Sequence, residues 1–272
     1  GTCSSRTRSG RCFPMPEHAT SGPDVALFIP CYVDQLAPEV GLATATVLER
    51  LGCKVGFDAS QTCCGQPFVT SGARREAVRL ARAHVERFAG AEAVVCPSAS
   101  CVATVRRRYA GLVGAEQAWR LTSRTFELGE FIVSKLGTSD VGARFPHRVA
   151  LLESCHGLRE LELGRASERL DLDPSQLGIT ERLLRGVSGL ELRPVSRRDE
   201  CCGFGGAFSF GFPELSARIG RDKLRALSES GAEYVTGTDV SCLLHLEGLR
   251  AREGFGPRAI HLAEILASGA GR

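Results

Sequence analysis

The sequence predicts an α/β protein built from two copies of one design, and three observations predict it. Two short apolar runs match each other, Val25-Ala-Leu-Phe-Ile-Pro-Cys31 and Val149-Ala-Leu-Leu-Glu-Ser-Cys155. Runs without polar alternation are expected of strands buried on both faces of a parallel sheet. Strand-like and helix-like stretches then alternate behind each run, which argues for βα units with parallel strands. Finally, a Cys-Cys-Gly triplet occurs once in each copy, at Cys63-Cys64-Gly65 and Cys201-Cys202-Gly203. Each triplet has a lone cysteine before it (Cys31, Cys155) and another after it (Cys101, Cys242). The expected architecture is two duplicated, Rossmann-like three-layer halves with mainly parallel sheets, related by pseudo-symmetry.

The elements follow in order. Pro38 to Leu51 has helical spacing, with Val40, Ala43, Val47 and Leu51 on one face, and Gly52 ends it. Lys54 to Asp58 reads as the second strand, Ala73 to Ala89 as a helix behind the triplet, and Ala93 to Cys96 as the third strand. Phe126 to Ile132 reads as the closing helix. The second half answers with a helix over Pro174 to Gly189, a strand over Leu190 to Val195, a helix over Pro213 to Ser230 and a strand over Glu233 to Thr236. It closes on a helix over Ile260 to Leu266. The repeat is far longer than a solenoid unit, so duplication of a whole domain is the expectation. The first domain is placed at 24–136 and the second at 148–268, with 111–124 and 137–147 as connecting segments.

Residues 1–23 read as an extension without ordered structure. Residues 1–14 are rich in Arg, Ser and Gly and lack apolar periodicity, and Met15 is the only methionine. Met15 therefore reads as the natural start, which leaves Cys3 and Cys12 without a role.

A chain of 272 residues can bury a core in each of two domains. A net charge of +3 gives no reason to expect nucleic acid or an acidic membrane as partner. No run approaches the ~20 apolar residues of a membrane helix. Residues 1–24 hold no apolar core of a signal peptide, so a cytoplasmic location is expected. The outlier is cysteine, with 12 residues. Disulfides suit small secreted domains that lack a core. In a chain of this size, reduced, metal-binding thiols are the better expectation.

In open α/β sheets, ligands bind beyond the carboxyl ends of the strands. The cysteines fall there, after the first, second and third strands of each half. Cys31, Cys63, Cys64 and Cys101 are thus expected on one rim, and Cys155, Cys201, Cys202 and Cys242 on an equivalent one. Neighbouring side chains of a strand point to opposite faces, so two adjacent cysteines serve one site only where the backbone turns. Gly65 and Gly203 permit that turn. Four thiolates can hold zinc or an iron–sulfur cluster. Zinc sites commonly pair two short knuckles; here Cys96-Pro-Ser-Ala-Ser-Cys101 has no second one to pair with, which leans toward iron–sulfur.

Gly203-Phe-Gly-Gly206 is not followed by Lys-Ser/Thr, which argues against a phosphate loop. Cys53 has no counterpart and reads as a buried structural thiol. Cys96, set against Thr236, reads the same way, with its strand-end position keeping it a reserve ligand. His156 is a candidate ligand, proton carrier or plain loop histidine, and His245 is expected on a solvated helix position. Arg106 to Arg108 read as a solvated charged face. No catalytic residue is assigned.

Ile29-Pro-Cys-Tyr-Val-Asp-Gln35, Gln61-Thr-Cys-Cys-Gly-Gln-Pro67, Glu153-Ser-Cys-His-Gly157 and Cys201-Cys-Gly-Phe-Gly-Gly206 resemble the cysteine-rich CCG domain family, over about residues 24–268. That family includes a component of heterodisulfide reductase and the iron–sulfur subunits of glycolate and anaerobic glycerol-3-phosphate oxidases. The resemblance implies an oxidoreductase subunit for electron transfer. It implies iron–sulfur clusters of the four-iron four-sulfur type, one per half, with the eight cysteines named above as iron ligands. It also implies a part in oxidising L-lactate to pyruvate, together with two partner subunits of which one is ferredoxin-like.

One departure stands out. Heterodisulfide reductase has a C-x-x-C in the last element of each domain, and its first cysteine is here Ser98 in one half and Asp239 in the other. The non-cubane cluster of that relative is therefore not implied. Asp239 is expected as the N-cap of a helix beginning Val240-Ser-Cys242, with an oxygen ligand as the alternative. Thiol/disulfide chemistry and a zinc-holding scaffold are the competing readings.

Overall fold

A computed structural model describes residues 22–171, 173 and 176–269. The expectations for residues 1–21, including Met15 as a start, lie outside the described residues. Among the described residues, eight strands form two four-stranded sheets, each parallel throughout.

The first half runs β1 (Asp24–Leu27), α1 (Cys31–Leu36), α2 (Pro38–Arg50), β2 (Lys54–Phe57), α3 (Gln66–Thr70), α4 (Arg74–Arg87), β3 (Ala93–Cys96), α5 (Ala99–Val113), α6 (Ala115–Thr122), β4 (Thr125–Glu127) and α7 (Leu128–Ser134). The second runs β5 (Arg148–Leu151), α8 (Cys155–Arg159), α9 (Ile179–Arg185), β6 (Glu191–Arg193), α10 (Ala207–Gly211), α11 (Pro213–Glu229), β7 (Tyr234–Gly237), α12 (Val240–Glu253), β8 (Arg258–His261) and α13 (Leu262–Ala267). The sheet orders are β2-β1-β3-β4 and β6-β5-β7-β8, so the two halves share one topology.

Three sequence expectations change. The closing helices over Phe126 to Ile132 and Ile260 to Leu266 each begin with a fourth strand, β4 or β8. The switch is sharp because a capping box sits at each junction. The Glu127 carboxylate accepts from the amides of Gly129 and Glu130, and His261 accepts from Ala263. Residues 111–124 are not a connector; they end α5 and form α6. The helix expected over Pro174 to Gly189 is confined to Ile179–Arg185, and residues 174 and 175 lie outside the described residues.

The strands alternate between two hydrophobic environments. Val25 and Leu27 of β1 face a central core that also contains Val149, Leu184, Leu262 and Ile265 of the second half. Phe28 and Val94 face an outer core with Val102, Val105 and Tyr109. Ala150 and Val235 do the same in the second half with Leu224, Leu227 and Leu246. The halves therefore share a middle layer, in which α2 meets α13 and α7 meets α9. Arg50 of α2 fastens this seam by donating to the carbonyls of Val141, Leu266 and Ala267, the last two at the open end of α13. Among the described residues, no helix is long and apolar enough to cross a membrane.

Candidate metal centre

The sheet order places a switch point between β1 and β3, and again between β5 and β7, where neighbouring chains leave in opposite directions. Cys31 opens α1 beyond β1, and Cys155 opens α8 beyond β5. Cys101 and Cys242 lie in the first turns of α5 and α12, beyond β3 and β7. The triplets follow β2 and β6 and precede α3 and α10.

Each triplet turns at its glycine, with φ of 85° at Gly65 and 91° at Gly203. Their amides donate back to the first cysteine of the triplet, Gly65 to Cys63 Sγ at 3.4 Å and Gly203 to Cys201 Sγ at 3.3 Å. The carbonyls are also held. Tyr109 Oη donates to the Cys64 carbonyl at 2.9 Å, and Ser216 Oγ to the Gly203 carbonyl at 2.7 Å.

The two expected rims open onto one shared space. All eight cysteines line one cavity of about 380 Å³ between the halves. The arrangement is brought about by crossed packing, since α5 of the first half lies against α8 of the second and α1 against α12. Tyr32 meets Phe204 edge to face across the cavity, with ring centroids 5.7 Å apart. Within the sets, Cys31 Sγ is 3.7 Å from Cys63 Sγ, and Cys202 Sγ is 2.9 Å from Cys242 Sγ.

The electrostatics of the triplets and of the cysteines before them repeat in both halves. The Cys63 thiol is pulled down to about 3, first by the Cys31 thiol that donates to it, then by Cys64 and by the Gly65 amide. Cys201 is pulled down to about 2 by Cys155, Cys202 and the Gly203 amide. Cys31 and Cys155 move up, because each shares its proton with that thiolate and is partly desolvated. Cys64 and Cys202 also move up. In each set the first thiol of the triplet is thus biased toward the thiolate, the form that binds metal.

Among the described residues, no three His, Cys, Asp or Glu side chains converge closely enough to hold a single ion. The sulfurs line a shared space instead, with a close pair in each set. Eight thiols on the wall of one cavity are a donor set suited to clusters whose several irons each take one cysteine.

The remaining candidates separate. Cys53 is buried in the central core and does not line the cavity. Cys96 is fully buried behind Cys101, and strand register sets it against Gly237 rather than Thr236. His156 lies on α8 rather than in a loop. Its Nδ1 is 3.5 Å from Cys155 Sγ, and its Nε2 is 3.3 Å from Gln66 Nε2 of the other half. His245 is half-buried beside Phe204, not solvated, and desolvation lowers its pKa.

Arg107 and Arg108 are exposed, as expected of a solvated face, and all three arginines also act as braces. Arg106 forks onto Glu130, Arg107 donates to the Glu160 carbonyl, and Arg108 pairs with the Glu160 carboxylate. Asp239 takes the N-cap position of α12, but its carboxylate makes no capping bond. It turns instead to Ser98, Ser100 and Ser154. Sequence reasoning missed Tyr32, Tyr109, Phe204 and Ser216. Tyr32 and Phe204 stand inside the quoted cysteine motifs, whereas Tyr109 and Ser216 carry no local signal, since each acts on a turn distant in the chain.

Comparison with known proteins agrees with this geometry. The family profile described as "Cysteine-rich domain", CCG, matches residues 25–106 and 149–247. The chain is similar to a protein of Exiguobacterium sp. named "Lactate utilization protein A", with 39% identity over 254 residues, covering 91% of this chain and 98% of that one. Proteins of the same name from Geobacillus kaustophilus and Bacillus licheniformis are 39% and 38% identical, over 89% and 90% of this chain and 98% and 99% of theirs. The repeated triplets, the shared topology of the halves and the two profile matches lead to one conclusion: the chain belongs to the cysteine-rich CCG domain family and carries that domain twice.

Proposed function

We propose that the chain is the iron–sulfur electron-transfer subunit of a complex that oxidises L-lactate to pyruvate. The observation that carries this reading is the convergence of two equivalent four-thiol sets on one cavity. The relatives named for lactate utilisation supply the substrate. Cys31, Cys63, Cys64 and Cys101 would hold one four-iron four-sulfur cluster, and Cys155, Cys201, Cys202 and Cys242 the other. The domains carrying them span 24–136 and 148–268. Two further subunits, one ferredoxin-like, complete the complex, which works in the cytoplasm.

Bound clusters supply one-electron acceptance and release. The chain's own residues do the rest. The Gly65 and Gly203 amides direct hydrogen bonds at cysteine sulfur, which sets how much negative charge the site tolerates. Tyr32 and Phe204 contribute an aromatic contact between the halves to the wall of the space. Protein purified without oxygen should be brown and contain iron with acid-labile sulfide. Colourless, iron-free protein after anaerobic reconstitution, or stoichiometric zinc without a redox response, overturns the reading.

A second reading is favoured by one contact, the close Cys202 and Cys242 thiols. Two such thiols form a dithiol suited to reducing disulfides. Disulfide reduction by the isolated chain, without lactate, would support it.

A further inference from the structure

Ser98 and Asp239 occupy equivalent positions. Each is the N-cap of the helix after the third strand of its half, and each precedes the last cysteine of its set by the same interval. They are also the positions at which this chain departs from the paired cysteines of heterodisulfide reductase. The two residues meet each other: Ser98 Oγ donates to Asp239 Oδ1 at 2.8 Å. Equivalent positions in contact lie on the pseudo-twofold axis, and the backbone crosses there too, from the Ala99 amide to the Thr238 carbonyl.

Asp239 is only 3% exposed, so its carboxylate depends on donors from the protein. It has four. Besides Ser98, the Ser100 hydroxyl donates at 2.8 Å, the Ser100 amide at 3.0 Å, and Ser154 Oγ donates to Oδ2. Two of these donors also accept bonds that fix cysteine-bearing turns. Ser98 Oγ accepts from the Cys101 amide at 3.3 Å, and Ser154 Oγ from the Gly157 amide at 3.3 Å, in the turn that Cys155 opens.

We propose that Asp239 is a positioning residue shared by both thiol sets. It ties Cys101 of the first half and Cys155 of the second to one buried carboxylate, while its own helix carries Cys242. The departure from symmetry is what makes the joint work. Two aspartates meeting on the axis would place like charges together. A serine facing an aspartate gives a donor and an acceptor. The hydrogen bonds alone carry the positioning of the two turns; its extension to metal loading rests on the proposed ligand role of the cysteines.

The test uses the full chain, reduced and metal-free, with hydrogen exchange read at the first turns of α5 and α8. Asp239→Ala should speed exchange about tenfold at Ser100, Cys101 and Gly157, thus in both halves. Asp239→Asn, which keeps one acceptor oxygen, should fall between that variant and the parent. Ser154→Ala, which cuts one branch, should expose Gly157 and leave Cys101 protected; it also carries the test if Asp239→Ala does not fold. After anaerobic reconstitution, Asp239→Ala should lose iron from both sets. Parent-like exchange in Asp239→Ala, change confined to one half, or equal change at both turns in Ser154→Ala overturns the proposal. A parent chain that takes up no iron overturns the proposed function and leaves the exchange result to stand by itself.

Discussion

The two halves form the same Cys-Cys-Gly turn and support it by different means. In the first half, the turn leans on an aromatic hydroxyl, Tyr109 on α5, and on Gln61, whose side chain bonds the Ile29 amide and the Leu27 carbonyl at the end of β1. In the second, it leans on Ser216 of α11, and the approach to it is gripped by Lys223. That buried amine donates to the carbonyls of Arg197 and Arg198 at 3.0 and 2.8 Å. Burial lowers the Lys223 pKa. Cys201 is exposed where Cys63 is half-buried. The backbone turn and the thiol electrostatics are what the halves hold in common, and the supporting contacts are interchangeable.

The sharpest way to break this comparison is to remove a proposed ligand from each half. Cys64→Ser and Cys202→Ser should each lose about half of the bound iron or more, and Cys53→Ser should keep it all. Equal losses in all three, by iron and sulfide analysis, would end the division between ligands and structural thiols.

The glycines come next. Both have positive φ, which costs an alanine ~1–2 kcal/mol. A Cβ on Gly65 would meet nothing closer than Leu80 at 3.6 Å, whereas on Gly203 it would lie 2.5 Å from the Ser216 carbonyl. Gly203→Ala should therefore cost roughly 3 kcal/mol or more in urea denaturation, and Gly65→Ala about 1–2. Similar midpoints for the two would show that the second turn is as roomy as the first.

The capping positions Glu127 and His261 are equivalent, and their pH dependences run in opposite directions. Burial raises the Glu127 carboxyl from 4.5 to about 8, so its contribution is lost as pH rises from 4.5 toward 8. Burial lowers the His261 imidazole from 6.5 to about 4, so its contribution is full above 6.5 and lost as pH falls toward 4. Each changes stability by about 1.4 kcal/mol per pH unit within its window. Relative to the parent, Glu127→Gln should gain stability as pH rises through its window, and His261→Gln as pH falls through its own. Denaturation midpoints that differ from the parent by a pH-independent amount would remove the contrast.

The smallest effects belong to the two hydroxyls. Tyr109→Phe and Ser216→Ala should each cost about 1 kcal/mol, the worth of one hydrogen bond. Unequal costs would sharpen the comparison by showing which half depends more on its support.

Much of this is legible in the sequence because it is local. The runs ending at Cys31 and Cys155, the helical spacing of Pro38 to Leu51 and the triplet glycines each encode their structure within a few residues. The fourth strands are not legible because β4 and β8 pass into α7 and α13 without an intervening turn, so the apolar residues read as one helix. The single cavity is hidden for another reason. It depends on how the halves dock, and the crossed packing of α5 on α8 has no sequence period. Asp239 shows the same limit. Its N-cap position is legible, and the serines that claim its carboxylate are not.

The closeness of the Cys202 and Cys242 sulfurs has a consequence for how the chain matures. Thiols at 2.9 Å need little backbone movement to reach the ~2.05 Å of a bond between sulfurs. If the thiol sets hold clusters as proposed, a cross-link formed here by dissolved oxygen before loading would remove two positions from the second set. Under the proposed function, order of events then matters as much as affinity: a preparation exposed to air before loading is expected to take up less iron until a reductant reopens the bond.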